Sequence, residues 1–304
     1  MSKTIHAFYL EKNQDTCDIG KKWLSMTVLP DNSEHYYYNL LKASFEKEFL
    51  MNSNKQIDLD IPRTFSECSY FSKGKGNIIL QRVLYALTRY NPALGYVQGM
   101  NYIAACLLYH CKESDAFWLL LRLFYDYNLV QNYLPRLPGL EKHSHVLEYL
   151  LIEHLPDLFE HFNRNGIIVQ MFATEWCLTL FTSLLSLENS SFFLTKFFEF
   201  GWVFFYKFVI EVLDRLKDKI LLIDNTMEIL DILKPIRATS TKAANEFLKN
   251  LEMYEKLTWK KVVKIACLRK INEEVVNYLC ENFEAFTQLE HESKDHCNDM
   301  YIMP

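Results

Sequence analysis

Glycine and proline are scarce in this chain of 304 residues, with eight of each. A sandwich or barrel of many short strands needs turn formers at close intervals, so such folds are excluded. No basic stripe is present. Lys and Arg number 33 against 38 Asp and Glu, and the net charge of −5 is spread along the chain. That removes the electrostatic case for nucleic acid and for a polybasic membrane anchor. The eight cysteines are Cys17, Cys68, Cys106, Cys111, Cys177, Cys267, Cys280 and Cys297; they contain no C-x-x-C pair and no zinc-ligand spacing. They read as reduced thiols, several packed as small hydrophobes in apolar helical runs. The start, Met1-Ser2-Lys3-Thr4-Ile5-His6, lacks the apolar stretch of a signal peptide. The longest apolar run, Ile167 to Leu187, is interrupted by Gln170 and Glu175. A central acid is costly in lipid, so this run is expected to be a fully buried core helix rather than a membrane span. These absences predict a cytoplasmic protein.

What the chain has in quantity is apolar and aromatic side chain, 50% and 15% of residues. That suffices for a large interior. Helical periodicity recurs from end to end. Helices are expected over His35–Met51, Asn77–Arg89, Gly99–His110, Asp115–Tyr127 (with Ser114 as N-cap), Glu141–His154 and Asp157–Arg164, the last ending near Gly166 as C′ residue. More follow over Val169–Leu184, Ser191–Phe200, Trp202–Ile220, Asn225–Leu233, Ser240–Tyr254, Thr258–Cys267 and Glu273–Leu289. No stretch alternates strictly enough for a strand, and no fixed-period repeat suggests a solenoid. The prediction is one elongated all-α domain with no β-sheet. It divides into an N-terminal lobe over 1–187, a C-terminal lobe over 188–290 and a polar, frayed tail over 291–304.

Two short motifs stand out. The first runs Ile57-Asp58-Leu59-Asp60-Ile61-Pro62-Arg63-Thr64; Asp60 and Arg63, three apart, are neighbours in a turn or short helix, and Pro62 restricts the backbone before Arg63. Taken alone, this is equally an ordinary surface ion pair. The second runs Gly95-Tyr96-Val97-Gln98-Gly99-Met100-Asn101 after the turn residues Asn91-Pro92. Gln98 then lies at a helix N-terminus, where free N–H groups favour anionic partners, and Gly99 permits close backbone approach. Alone, it too has a plain reading as a capping residue. An arginine and a glutamine are nonetheless the side chains that hydrolysis of a nucleoside triphosphate most needs, one to neutralise phosphoryl charge and one to position water. The chain has no phosphate loop of its own. Gly74-Lys75-Gly76-Asn77 lacks the required spacing and reads as a turn before a helix. His143 and His145, two apart, cannot share a helix face and are expected at the surface. His291, His296 and Cys297 make no complete metal set. The Phe- and Tyr-rich stretch Phe192–Phe208 reads as core.

The two motifs in order, with their flanks, resemble the TBC domain of GTPase-activating proteins for Rab GTPases. That family carries I-x-x-D-x-x-R-T followed by Y-x-Q-G-M-N; here the matching segments are IDLDIPRTF and YVQGMNYIAACLL, with DAFWLLLRLF and FATEWCLTLFTSLLSL further on. The resemblance runs from about Trp23 to Leu233, within a domain of about 17–290. It implies an all-α fold and a GTPase activator that is not an enzyme by itself. Arg63 would be an arginine finger and Gln98 a glutamine finger, both supplied in trans. Asp60 would orient Arg63, Tyr96 would fix the loop of Gln98, and Gly99 and Asn101 would support it. It implies no cofactor of the chain's own, with GTP and Mg²⁺ held by a partner Rab-type GTPase, and a role in vesicle traffic. No separate membrane-targeting segment is evident, so membrane association is expected only through partners, peripherally on endomembranes. One departure stands out: where the family has R-x-W-D, this chain has Phe192-Phe193-Leu194-Thr195. An early arginine before the tryptophan matched by Trp23 is also missing. That departure opens an alternative, a TBC-like scaffold that binds a GTPase without accelerating it.

Overall fold

Met100–His110 is apolar on every side, so it can only be stable with neighbours all round. In the computed structural model, which describes residues 14–43, 47–72, 74–234, 247–251 and 258–283, all of its side chains but Tyr109 are buried. We number the helices α1 (Gln14–Ser25), α2 (Ser33–Lys42), α3 (Lys47–Asp60), α4 (Ser69–Ser72), α5 (Gly76–Tyr90), α6 (Met100–His110), α7 (Glu113–Tyr125), α8 (Pro138–His154), α9 (Pro156–Arg164), α10 (Gln170–Thr179), α11 (Leu187–Ile220), α12 (Thr226–Leu233), α13 (Trp259–Leu268) and α14 (Glu273–Glu281). Single 3₁₀ turns occupy Ile61–Arg63 and Leu129–Asn132. There is no strand among the described residues, so the fold is all-α. Helices α1, α5, α7, α10 and α11 pack against α6, and one continuous cluster of buried side chains runs from Trp23 to Leu279.

The long helix α11 ties the two ends of the chain together. Its first half meets α1 and α6: Trp23 Nε1 donates to Thr195 Oγ1 at 2.9 Å, and His110 Nε2 lies 2.5 Å from Ser191 Oγ. Its second half meets α13, the residue that follows it and α14: Phe208 lies tilted against Trp259, Arg269 pairs with Glu211 and Asp214, and Lys207 pairs with Glu273 at 2.8 Å. Between the halves, Gly201 (φ 58°, ψ −144°) kinks the helix. The expected break between Phe200 and Trp202 is therefore a kink inside one element. Cys106, Cys111 and Cys177 are buried, and none of these three nor Cys68, Cys267 or Cys280 forms a disulfide. No helix among the described residues is long and apolar enough to cross a membrane.

Several expectations need correction. The helix expected over His35–Met51 is two, because Ala43 turns extended (φ −60°, ψ 133°) and caps α2. Helix α7 starts at Glu113 with Lys112 at the cap, and Ser114 is buried in its first turn. The apolar run Ile167–Leu187 is not fully buried, since Ile168, Gln170, Met171 and Glu175 are exposed, and the single helix expected within it across Val169–Leu184 ends at Thr179. There Leu180 (φ 48°) and Phe181 (φ 59°) both enter left-handed backbone. Each such residue costs about 1–2 kcal/mol, and burying a Leu or Phe side chain returns about 1.5–3 kcal/mol. Both are fully buried, and Phe181 stacks on Trp176 at 5.0 Å and meets Phe193, Phe205 and Phe208. Packing therefore outweighs the backbone term. Finally, His143 is not a surface residue. Two positions on different faces leave one pointing inward, and His143 is buried, 2.7 Å from Tyr206 Oη and stacked on Trp202 at 3.7 Å.

Elsewhere the helix ends follow local chemistry. Asn225, Thr258 and Asn272 cap α12, α13 and α14 with side-chain oxygens. Helix α9 closes with Ile167 N–H on Phe162 O and Gly166 N–H on Asn163 O, a Schellman pair. The expected helix start at Thr239–Ser240 and the tail over 291–304 lie outside the described residues, whereas the helix expected over Glu273–Leu289 is corrected: it ends at Glu281, where Asn282 leaves helical backbone and caps it.

Burial, aided by the charge of Lys142, holds the His143 imidazole well below its ordinary value of 6.5. An unfolded chain protonates this ring near its ordinary value and the folded one does not, so the stabilisation is complete above 6.5 and is lost as pH falls below it. Melting temperatures taken at about pH 7.5 and about pH 5 should therefore fall toward acid, and His143→Gln should make that fall shallower.

Candidate functional site

The centre of the candidate site is a carboxylate with no access to solvent. Asp60 ends α3 and is 0% exposed. A buried charge is tolerable only when every lone pair finds a donor. Its Oδ1 accepts from Arg63 Nη2 at 2.5 Å and from Gln56 Nε2 at 3.0 Å, and its Oδ2 accepts from the Tyr96 hydroxyl at 2.6 Å. The 3₁₀ turn that opens with Ile61 and Pro62 brings Arg63 back over Asp60, as the three-residue spacing requires. The pair is thus unlike a surface salt bridge: one partner is sealed in and the other is about half exposed, with the Arg63 side chain at 48%.

The second motif is tied to the same carboxylate. Tyr96 is buried, and its hydroxyl also lies 3.0 Å from Asn101 Oδ1. Burial, then the hydrogen bond and charge of Asp60, push the Tyr96 phenol far above its ordinary value, so it stays a donor at any working pH. Asn101 Oδ1 accepts from Gly99 N–H at 3.1 Å, and Asn101 Nδ2 donates to Thr64 Oγ1 at 2.6 Å. Thr64 in turn donates to the carbonyl of Asp60 at 2.8 Å. A closed ring of hydrogen bonds therefore joins the backbone around Arg63 to the backbone around Gln98. Between Tyr96 and Gly99, Gln98 sits on a turn and its side chain is exposed.

Gly99 is required at this turn. Its φ is +108°, and a Cβ there would approach Thr179 Cγ2 to 3.0 Å. The end of α10 thus presses on the loop, and Tyr133 Oη fixes that end by donating to Leu178 O at 2.6 Å. Tyr102, on the first turn of α6, is raised above its ordinary pKa by burial, with the Arg63 charge acting in the opposite sense.

All six residues expected at the site fall into this one constellation. Arg63 and Gln98 are exposed; Asp60, Tyr96, Gly99 and Asn101 lie behind them and are buried. Motif reading alone missed Gln56, Ser53 and Thr179. Gln56 and Ser53 stand four and seven residues before Asp60, and helical spacing could have flagged them. Thr179 comes from a distant helix end and carried no local signal. What the arrangement offers chemically is a guanidinium and a carboxamide, on an exposed surface and backed by a rigid buried network. The first can neutralise phosphoryl oxygen charge and the second can orient water.

A family model described as the Rab-GTPase-TBC domain matches residues 20–221. The Rab GTPase-activating protein eat-17 of Caenorhabditis elegans is 33% identical over 171 residues, covering 56% of this chain and 19% of that protein. A TBC domain-containing protein of Schizosaccharomyces pombe is 29% identical over 251 residues, 82% of this chain and 32% of that protein. The chain thus spans a fifth to a third of the length of these curated relatives. Among solved structures, the Chlamydomonas flagellar RabGAP TBC domain superposes with a TM-score of 0.59 at 24% identity, over 82% of this chain and 77% of that one. The Ypt/Rab-GAP domain of Gyp1p gives 0.63 at 18% identity, over 83% and 92%. These two likenesses concern the fold.

Two substitutions test the network. Tyr96→Phe strips a donor from a buried carboxylate and should destabilise the protein by about 1–3 kcal/mol in denaturant unfolding. Gly99→Ala forces a side chain into left-handed backbone against Thr179 and should cost a similar amount, about 1–3 kcal/mol. Gln98→Ala, at an exposed side chain, should leave the melting temperature nearer to wild type than either, whereas Arg63→Ala takes the cation from the buried Asp60 and should lower it at least as much as Tyr96→Phe.

Proposed function

The chain belongs to the Rab-GTPase-TBC domain family, and on that premise we propose that it accelerates GTP hydrolysis by a Rab-type small GTPase. Arg63 and Gln98 act in trans as the arginine and glutamine fingers. The observation that carries this reading is the ring of hydrogen bonds from Arg63 through Asp60, Tyr96 and Asn101 to the Gly99 amide, which backs both exposed side chains with one rigid support. GTP and Mg²⁺ belong to the partner in this scheme. The chain supplies no nucleotide site and no covalent intermediate, and it acts as an activator rather than an enzyme on its own. Its place is cytoplasmic, peripheral to endomembranes through the GTPase, and its consequence is control of vesicle traffic.

The magnitudes are adequate. A trans arginine in phosphoryl transfer contributes about 10³–10⁵ in rate, equivalent to roughly 4–7 kcal/mol of barrier. Positioned donors in a site closed to water supply energies of that order without reorganising. Holding the Arg63 guanidinium and the backbone turn of Gln98 in place beforehand is what the buried network contributes, since groups ordered before binding cost less at the moment of reaction.

The scaffold alternative draws on one observation, the absence of R-x-W-D at Phe192–Thr195. In this chain Phe193 and Leu194 are fully buried and Thr195 accepts from Trp23. These side chains leave the junction filled and hydrogen-bonded, which favours the catalytic reading. A panel of GTP-loaded Rab-type GTPases assayed for multiple-turnover hydrolysis separates the two readings. On the most responsive member, Arg63→Ala should lower the stimulated rate by about 10³-fold or more, and Gln98→Ala by about 10²-fold or more. Arg63→Lys should recover little of it, because an ammonium lacks the planar fork. Binding without acceleration by the wild-type chain selects the scaffold.

A further inference from the structure

We infer that Ser53 and Gln56, two side chains of α3 outside both motifs, are positioning residues that set the pose of Arg63 and of the Gln98 loop together. The inference rests on the proposed activation of a Rab-type GTPase.

Ser53, Gln56 and Asp60 are spaced three and four residues apart, so they share one face of α3. Each holds a different part of the site. Gln56 Nε2 donates to Asp60 Oδ1 at 3.0 Å, the same oxygen that accepts from Arg63 Nη2. Ser53 Oγ accepts from the Tyr96 backbone N–H at 3.1 Å. A Cβ on Gly95 would lie 2.8 Å from that same Oγ, so the loop backbone rests directly on Ser53. Both side chains are half-buried, and neither reaches the surface as Arg63 and Gln98 do.

The chemistry at Asp60 explains why Gln56 matters. Arg63 must present its guanidinium to a phosphoryl group while remaining tethered to a buried carboxylate. A carboxylate whose sole partner on one oxygen is Arg63 would resist any outward movement of that guanidinium, since the movement would leave a buried charge unpaired. With Gln56 on the same oxygen and Tyr96 on the other, Asp60 keeps two donors whatever Arg63 does. Gln56 therefore lowers the cost of a shift of the guanidinium between carboxylate and phosphoryl group, and it also fixes the direction in which Oδ1 points. Ser53 acts on the other finger. Tyr96 stands two residues before Gln98, and its N–H anchors the start of the turn to the same helix that carries Asp60. One rigid element thus sets the spacing between guanidinium and carboxamide, and an error of about 1 Å in such a spacing costs up to about 10²-fold in rate.

The test uses the full chain and the most responsive GTP-loaded Rab-type GTPase of the panel. Maximal stimulated rate, half-saturating concentration and melting temperature are measured for Gln56→Leu, Ser53→Ala and Ser53→Thr. Gln56→Leu and Ser53→Ala should each lower the maximal rate by about tenfold to a hundredfold, with half-saturation changed less than about twofold, since both side chains are half-buried and engaged within the chain. Ser53→Thr keeps the accepting oxygen and should retain most of the rate. In an Arg63→Ala background, Gln56→Leu should add little, because its effect runs through Arg63. Wild-type rates in Gln56→Leu and Ser53→Ala overturn the inference while leaving the proposed function intact. So does a loss from Gln56→Leu that multiplies in full in the Arg63→Ala background, or one that tracks the melting temperature alone. A wild-type chain that accelerates no GTPase of the panel overturns both.

Discussion

A single buried carboxylate organises the site. Asp60 has no solvent to fall back on, so its position dictates where Gln56, Arg63 and Tyr96 must place their donors. Removing any one of them leaves charge or lone pair unsatisfied in a poor dielectric, and that penalty exceeds what the hydrogen bond itself contributes. The requirement ties the Arg63 guanidinium, and the backbone turn that carries Gln98, into one array. Helix α6 plays the complementary role. Its nearly complete burial gives Asn101 and Tyr102 a rigid base, so the turn at Gly99 is held against a helix that has nowhere to move.

How legible this was in the chain varied with the range of the forces involved. The motif residues announce themselves through spacing, and the caps at Asn225, Thr258 and Asn272 through local side-chain chemistry. Helix existence was equally readable, because apolar periodicity reports a face that must be buried. What escaped was set by distant partners. Nothing near Leu180 and Phe181 hints at left-handed backbone; the phenylalanines of α11 and Trp176 of α10 hold Phe181 there, and Leu180 is fully buried beside it. His143 looked like half of an exposed pair until Tyr206 and Trp202, some sixty residues on, were placed beside it. Ala43 shows a subtler failure: helical periodicity continued through a position where the backbone turns extended.

The junction between α1, α6 and α11 departs from the family pattern at Phe192–Thr195, yet it is neither empty nor unpaired. Trp23 donates to Thr195, His110 meets Ser191, and Lys22 and Lys196 converge on Glu199. In this chain the charged pairs of the junction meet at Glu199, one turn beyond Thr195, while Phe193 and Leu194 fill the interior. Since a well-packed apolar replacement for a buried polar cluster is often neutral or better for stability, the substitution of one solution for another need not disturb a site held chiefly by α3, α6 and α10.

The turn carrying Gln98 is gripped at both ends, by Ser53 of α3 before it and by Thr179 of α10 behind it. Surface connections ordinarily tolerate insertions and deletions well. This one has no slack to absorb them: a single added or lost residue would unseat one grip or the other. Length variation in descendants of this chain is thereby barred from the segment between Gly95 and Asn101 and pushed into connections that nothing clasps, which makes the count of residues there as much a part of the site as their identity.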